Sequence, residues 1–389
     1  MAVVIASRSA LPIAVVIAAA AGLAVLNPRL PEIRPAAAVV CAAAAAPVFF
    51  LLRTNWLNGD GNALTPKFER DVPLVGAHLS HDELLEFFVH SRFWDYTHRW
   101  WGWSVVFSYS VLSCAAGCAF VYVLCRAARR FAPERTWLFL AGVVSGAYMQ
   151  LFFGDVENYT ITAVLILIYV VAACRFLDGE LPLRVPAIAL AVAACFHLEA
   201  AWLLPSAVYL AGVSRSRTGS MRDALESAAA AAALIAVVFV YFHFNGLPLR
   251  RFFSSYAGQA LRLKDVFTFG MPRSYFGDEL TVLLRLCPAI AILVPACAAL
   301  RHDASETSRF LAIAAVSMLL IQGVWKSQLG VFDDWNLYSA GALLSAIVIW
   351  RYVSADAAAL LPRIAATVLA GAGAWQSYAW IAANHSYGR

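Results

Sequence analysis

Apolar residues gather into twelve runs along the chain: 10–27, 35–52, 104–125, 136–153, 159–174, 185–199, 200–213, 224–245, 281–300, 309–325, 337–352 and 363–383. A helix needs about 20 mainly apolar residues to cross a bilayer, so each run is a candidate span, although several are short. The pattern predicts an all-α, polytopic transmembrane protein with about twelve apparent spans in a single domain, 1–389. The first run follows a lone Arg8 and has no clear small-residue cleavage site after it, so it reads as a retained helix.

Basic residues in the short loops set the orientation. The segment 126–135 carries Arg126, Arg129, Arg130 and Arg135, and 214–222 carries Arg215, Arg217 and Arg222. Both are expected to face the cytoplasm, and alternation adds 27–34, 175–184, 301–308 and 351–362 to that side. The opposite side receives an external loop and interfacial helix region at 53–103, the FFGDVENYT turn, an external basic segment at 246–280 and the KSQLGVFDDWN turn. Basic loops at both ends of 185–213 require an even number of crossings between them. Two short helices meeting near His197–Glu199 satisfy that rule, as a re-entrant or thin two-helix unit.

Composition narrows the class. Of 389 residues, 62% are hydrophobic and 14% charged, against about 25% charged in an ordinary soluble domain. A soluble globule, a disordered chain and a disulfide-stapled secreted scaffold are excluded. The net charge of +5 is mild and scattered, which argues against a nucleic-acid partner. The eight cysteines sit in or at the ends of apolar runs without zinc spacing, and read as small buried hydrophobes.

With charge so sparse, the carboxylates outside the cytoplasmic loops stand out. Asp60 lies between two glycines in NWLNGDGNAL, where backbone freedom allows a tight turn or close approach of a ligand; an ordinary Asp-Gly turn is the simpler reading. Asp155 and Glu157 share a short interhelical turn with Asn158 and Tyr159, more polar groups than a turn and a helix cap need. His197 and Glu199 are two apart and so do not share a helix face unless the helix breaks there. Glu199 in apolar surroundings is a functional candidate, the alternative being a structural hydrogen bond to Ser206 or a neighbouring helix. Asp333, Asp334 and Asn336 precede an apolar run beside Trp335 and Tyr338; one aspartate is explained as a helix cap, the second is not.

The segment 250–273 supplies the opposite sign with Arg250, Arg251, Arg262, Lys264 and Arg273 among aromatics. Such cations hold phosphate, or an interfacial helix binds anionic headgroups without specificity. In 53–103, His78, His81 and Asp82 lack any HExxH arrangement, and HDELLEFFVHSRFWDYTHRWWGWS reads as an amphipathic helix on the membrane surface.

The early GDG loop with Asp60, the GDVENY turn with Asp155 and Glu157, and the late DDWN motif together resemble the polytopic GT-C glycosyltransferases, in particular bacterial arabinosyl- and mannosyltransferase types. The resemblance implies a polyprenyl-phosphate sugar donor, a glycan, lipid or protein acceptor, and chemistry on the periplasmic face of a bacterial inner membrane. It also implies an early-loop carboxylate as base, the position that Asp60 matches. Asp60 follows the second apolar run where that family places the carboxylate after the first, so Asp155 or Glu157 is the alternative base.

Glycosyl transfer passes through an oxocarbenium-like centre and needs a base on the acceptor and cations on the departing phosphate. No cofactor is required, and clustered aspartates leave room for a divalent cation. In this scheme His197, Glu199, Asp333, Asp334 and Asn336 bind substrate, and the 250–273 cations hold the lipid phosphate. A proton-coupled transporter or lipid flippase is the competing reading, because His197 and Glu199 at a helix break suit a carrier. A membrane scaffold without catalysis is the third, and leaves the carboxylates unexplained.

Overall fold

A computed structural model of the chain describes residues 33–57, 59, 61–62, 64–66, 83–245, 268, 271–302, 305–327, 329–355 and 360–387. The architecture is all-α. In chain order the helices are α1 (Pro35–Leu51), α2 (Leu84–Trp101), α3 (Val105–Phe131), α4 (Thr136–Val144), α5 (Thr160–Leu177), α6 (Arg184–Phe196) and α7 (Leu204–Thr218). They continue as α8 (Arg222–Phe244), α9 (Arg273–Leu286), α10 (Leu293–His302), α11 (Glu306–Val324), α12 (Ser339–Ser354) and α13 (Leu360–Ser386).

The expected count of about twelve spans is corrected. Among the described residues, five segments are long and apolar enough to cross a membrane: α3, α5, α8, α11 and Trp335–Ser354. A sixth is added if α9 and the Pro288–Ala298 segment, bent by 109°, count as one broken span. Among the described residues most of the remaining apolar runs form short or interrupted helices, such as the 17 residues of α1 and the 13 of α6, while 363–383 lies in the 27-residue α13, which is not among the five. Composition records how apolar a stretch is, not where its helix stops. The run 10–27 lies outside the described residues.

The interruptions have local causes. At Cys287 the chain leaves α9 and meets Pro288, whose ring cannot continue an α-helix. At His197 the backbone turns extended (φ −145°, ψ 129°), and the ring accepts the Glu199 N–H, replacing a helical bond with a local one. A 3₁₀ segment, Leu198–Leu203, then leads into α7, where Pro205 suits the first turn. The two short helices expected around His197–Glu199 are thus present as α6 and α7.

The core lies around α12, whose turns are almost entirely buried. Its Trp350 ring packs on Gly142 of α4, where any Cβ would overlap the indole. By contrast, α8 buries only Ser227 and Phe242; one side packs on α6 and α2, and the rest of its apolar surface is left exposed, as suits lipid. All eight cysteines are free, five of them buried, in keeping with a packing role.

Polar loops collect at two ends. At one, Arg130 pairs with Asp178 and Glu180, Arg217 with Glu306, and Arg135 donates to the Ser354 carbonyl. Arg351 and Arg217 also donate to the last carbonyls of α3 and α5, where the helix dipole favours cations. The described parts of the loops 126–135, 175–184, 214–222, 301–308 and 351–362 therefore share an end, as alternation required, while most of 27–34 lies outside the described residues. The other end carries residues 53–57, the turn 153–159 and the segment 331–338.

Single cysteines at Gly219 and Phe332 in a cysteine-free background are expected to react with a membrane-impermeant maleimide from opposite sides of sealed vesicles. Labelling of both from the same side would overturn this arrangement.

Candidate functional site

The second end is where buried ionisable groups concentrate. The turn after the 3₁₀ segment Ala147–Phe152 is pinned from α3, with Ser113 donating to the Leu151 carbonyl (2.6 Å) and Ser110 to that of Gly154 (3.0 Å). Gly154 takes φ +75°, and a Cβ there would press on Arg53 and Ser110. The Thr54 N–H adds a bond to the Phe153 carbonyl at 2.7 Å. These contacts hold Asp155, Glu157, Asn158 and Tyr159 in a turn that is buried despite its polarity.

The next residues begin α5, and their N–H groups need an acceptor. Glu86 of α2 supplies it, taking the N–H groups of Ile161 (2.9 Å) and Thr162 (3.0 Å) and the Thr162 hydroxyl (2.9 Å). A carboxylate at a helix N-terminus also suits the dipole. This contact draws one face of α2 into the bundle: Glu86, Phe87, His90, Ser91, Trp94 and Thr97 are buried, while Tyr96, Trp100 and Trp101 stay exposed. The helix expected on the surface therefore packs one of its faces inward.

A continuous polar chain runs from there. Tyr109 donates to Asn158 (2.8 Å), whose amide donates to Glu83 (2.8 Å). The other Glu83 oxygen lies 3.5 Å from His197 Nε2. Since His197 Nδ1 accepts the Glu199 N–H (3.0 Å), the proton of a neutral ring sits on Nε2, facing Glu83. The Tyr159 ring lies against the imidazole, with centroids 4.6 Å apart. Glu199 Oε1 accepts from Gln322 (2.9 Å), which also donates to the Leu337 carbonyl. From the late motif, Asp334 accepts from Ser327 at 2.8 Å.

Two carboxylate oxygens in this cluster, Asp155 Oδ2 and Glu199 Oε2, are buried with no hydrogen-bond partner among the described residues. Burial pushes the Asp155 carboxyl up from 3.8 to about 7, against a weaker lowering by the Val156 N–H. Burial does the same to Glu199, from 4.5 to about 7, opposed by His197 and Gln322. Tyr159 is driven well above the usual phenol range by burial and by the surrounding charges of Asp334, Glu83, Glu199 and Glu157. Carboxylates from four separate segments thus act electrostatically on one phenol.

The GDG motif belongs to the same place. Gly61 N–H points at Glu157 Oε1 (3.4 Å), and a Cβ on Gly59 would meet Glu157 Oε1 at 2.5 Å and the Asp333 carbonyl at 2.9 Å. Gly59 also has φ +52°, so both space and backbone demand glycine. Asp60 itself lies outside the described residues, as do Arg250, Arg251, Arg262 and Lys264.

Of the remaining expected residues, Asn336 is buried and Asp333 exposed. Arg273 is exposed at the start of α9 and forms no ion pair with the described carboxylates. Glu199 accepts from Gln322 of α11, the neighbouring-helix form of the structural alternative, and not from Ser206, which instead binds Tyr169. Among the described residues no three His, Cys, Asp or Glu side chains are arranged to hold a metal ion. Glu83, Glu86 and Gln322 were not singled out by sequence reasoning. The available signal was the helical spacing of Leu84, Phe87, Ser91 and Trp94, which carries Glu86 and His90 (i,i+4) on the same inward face.

No protein-family model matches the chain, and no curated protein or solved structure is similar to it.

Truncating Glu86 to alanine orphans the first N–H groups of α5 and is expected to cost about 1–3 kcal/mol, read as a lower thermal midpoint of the purified protein. Asp155 gives the opposite sign. Its raised carboxyl makes the folded chain bind more protons than the unfolded one between about pH 4 and 7, so its contribution weakens as pH rises through that window. Asp155→Asn is therefore expected to melt above the parent at pH 8, with the gap closing toward pH 4. A gap independent of pH would contradict the shift.

Proposed function

We propose that the chain is a membrane glycosyltransferase of GT-C type, moving a sugar from a polyprenyl-phosphate donor to an acceptor hydroxyl at the acidic end of the bundle. The observation that supports this most is the pair of buried carboxylate oxygens left unpartnered among the described residues, Asp155 Oδ2 and Glu199 Oε2, beside the turn that Gly59 and Gly61 pack against. A carboxyl poised near 7 is matched to proton transfer at neutral pH.

In this reading the acceptor oxygen attacks the anomeric carbon and gives its proton to Asp60 or Asp155. The bond from that carbon to the phosphate oxygen breaks, and the lipid phosphate leaves with the electron pair. Glu157 and Glu199 orient sugar or acceptor hydroxyls, while His197, fixed between Glu83 and the Glu199 N–H, holds the Glu199 segment in place. Asp333, Asp334 and Asn336 complete the substrate side. Arg250, Arg251, Arg262, Lys264 and Arg273 are assigned to the phosphate. The transfer needs no cofactor, and a divalent cation is compatible with it. The acidic end is assigned to the periplasmic side of a bacterial inner membrane, with the acceptor a glycan, lipid or protein.

One observation favours a proton-coupled carrier or flippase as the second reading: Glu199, poised near 7, sits where a helix is broken inside the bundle. The two readings separate in reconstituted vesicles. With polyprenyl-phosphate mannose and polyprenyl-phosphate arabinose as donors, Asp155→Asn, Glu157→Gln and Glu199→Gln are each expected to lower transfer by about 10²–10⁴-fold with folding retained. Intact transfer in all three folded variants removes these residues from catalysis. Proton uptake lost in Glu199→Gln, without any transfer by the parent protein, would favour the carrier.

A further inference from the structure

Next to the acid cluster, across Asp333, lies a half-open cavity of about 440 Å³. Its walls are aromatic: Trp56, Phe332, Trp335 and Trp380. Its polar groups come from separate elements, Arg285 from α9, Asp333 from the loop before α12, and Gln376 from α13. We propose that this cavity binds a neutral sugar unit of the acceptor. The proposal deepens the glycosyltransferase reading and rests on it for the choice of ligand.

The side chains carry the argument. Arg285 and Asp333 both face the cavity, yet neither forms an ion pair among the described residues; Arg285 instead lies over the Phe332 ring at 5.1 Å. Opposite charges left apart on one wall present a donor array and an acceptor array with no net charge. That combination fits a polyol, whose hydroxyls both donate and accept, better than an anion, which Asp333 would repel. Gln376 adds an amide capable of both roles.

The aromatic groups supply the apolar half. A sugar ring has a face of C–H groups that packs on the electron-rich face of an indole. Aromatic residues at a bilayer surface ordinarily stand as a belt among the headgroups. Here Trp335 is buried and meets Trp380 edge-on at 4.6 Å, while Trp56 and Phe332 remain partly open on the same cavity. The volume is in the range of small-ligand sites and has room for a mono- or disaccharide.

Location ties the cavity to the reacting end. Asp333 lines the cavity wall, and its carbonyl faces Gly59, which also abuts Glu157. An acceptor sugar seated on the tryptophans therefore sits one loop away from the carboxylates assigned to the chemistry.

The test is saturation-transfer NMR on the full chain in nanodiscs, using methyl glycosides of the common hexoses and pentoses and, separately, inorganic phosphate. Saturable glycoside binding is expected, weakened about tenfold in Trp380→Ala and in Asp333→Asn. Arg285→Gln and Gln376→Ala, on partly exposed side chains, give the same reading should the tryptophan variant fail to fold. Asp155→Asn is expected to bind glycosides like the parent while transferring sugar about 10²–10⁴-fold more slowly. Glycoside binding by a parent protein that transfers nothing would keep the cavity and remove the enzyme reading. Transfer unaffected by these cavity variants, no saturable glycoside binding, or competition by phosphate would overturn the proposal.

Discussion

A helix that starts inside a protein bundle leaves its first N–H groups without water, and something must accept them. At the start of α5 that acceptor is Glu86, fully buried and bonded to Ile161 and Thr162. Much of the acidic end follows from this contact. It holds α2 against the bundle, which sets Glu83, three residues earlier, beside Asn158 and His197. His197 in turn fixes the start of the 3₁₀ segment through the Glu199 N–H, and Glu199 reaches Gln322 on α11. One satisfied helix terminus thus links five elements into a single polar chain.

The two ends of the bundle solve the same electrostatic problem in different ways. At the arginine-rich end, charges are paired or placed on helix C-terminal carbonyls, and most are partly in solvent. Exposed pairs of that kind contribute little each, and their value is in orienting loops. At the acidic end, by contrast, no Arg or Lys pairs with Asp155 or Glu199 among the described residues, and each leaves one oxygen unbonded. Carboxyls in that state favour the protonated form, and they are costly to keep unless the proton has a use.

The sequence made part of this legible. Asp155, Glu157, His197, Glu199 and Asp334 were visible because a charge in an apolar stretch is rare and expensive. The break at His197 was visible because basic loops on both sides of 185–213 demanded an even number of crossings. Glu83 and Glu86 were not, because α2 is half polar in sequence: a helix floating on a membrane and a helix burying a polar face show the same alternation. Only the unsatisfied N–H groups of α5, a tertiary fact, distinguish the two. The number of full-length spans was overestimated for a related reason, since α6 is as apolar as a span but is cut after 13 residues by a local bond at His197 that hydropathy does not register.

The Gly59–Glu157–Asp333 contact adds a constraint of a different kind. Three motifs far apart in sequence touch there through backbone and a carboxylate, with no room for a side chain on Gly59. Packing alone would favour filling such a point with apolar groups, which would cost nothing in desolvation. Instead the chain places at it an acidic side chain and, on either side of Asp60, two glycines that bring the backbone close. The arrangement keeps Glu157 within reach of the loop while leaving Asp155 Oδ2 and Glu199 Oε2 unbonded nearby. Glycine freedom, buried acid and unspent hydrogen-bonding capacity coincide at one end of the molecule, and stability by itself requires none of the three. Their coincidence is what the proposed reacting site rests on.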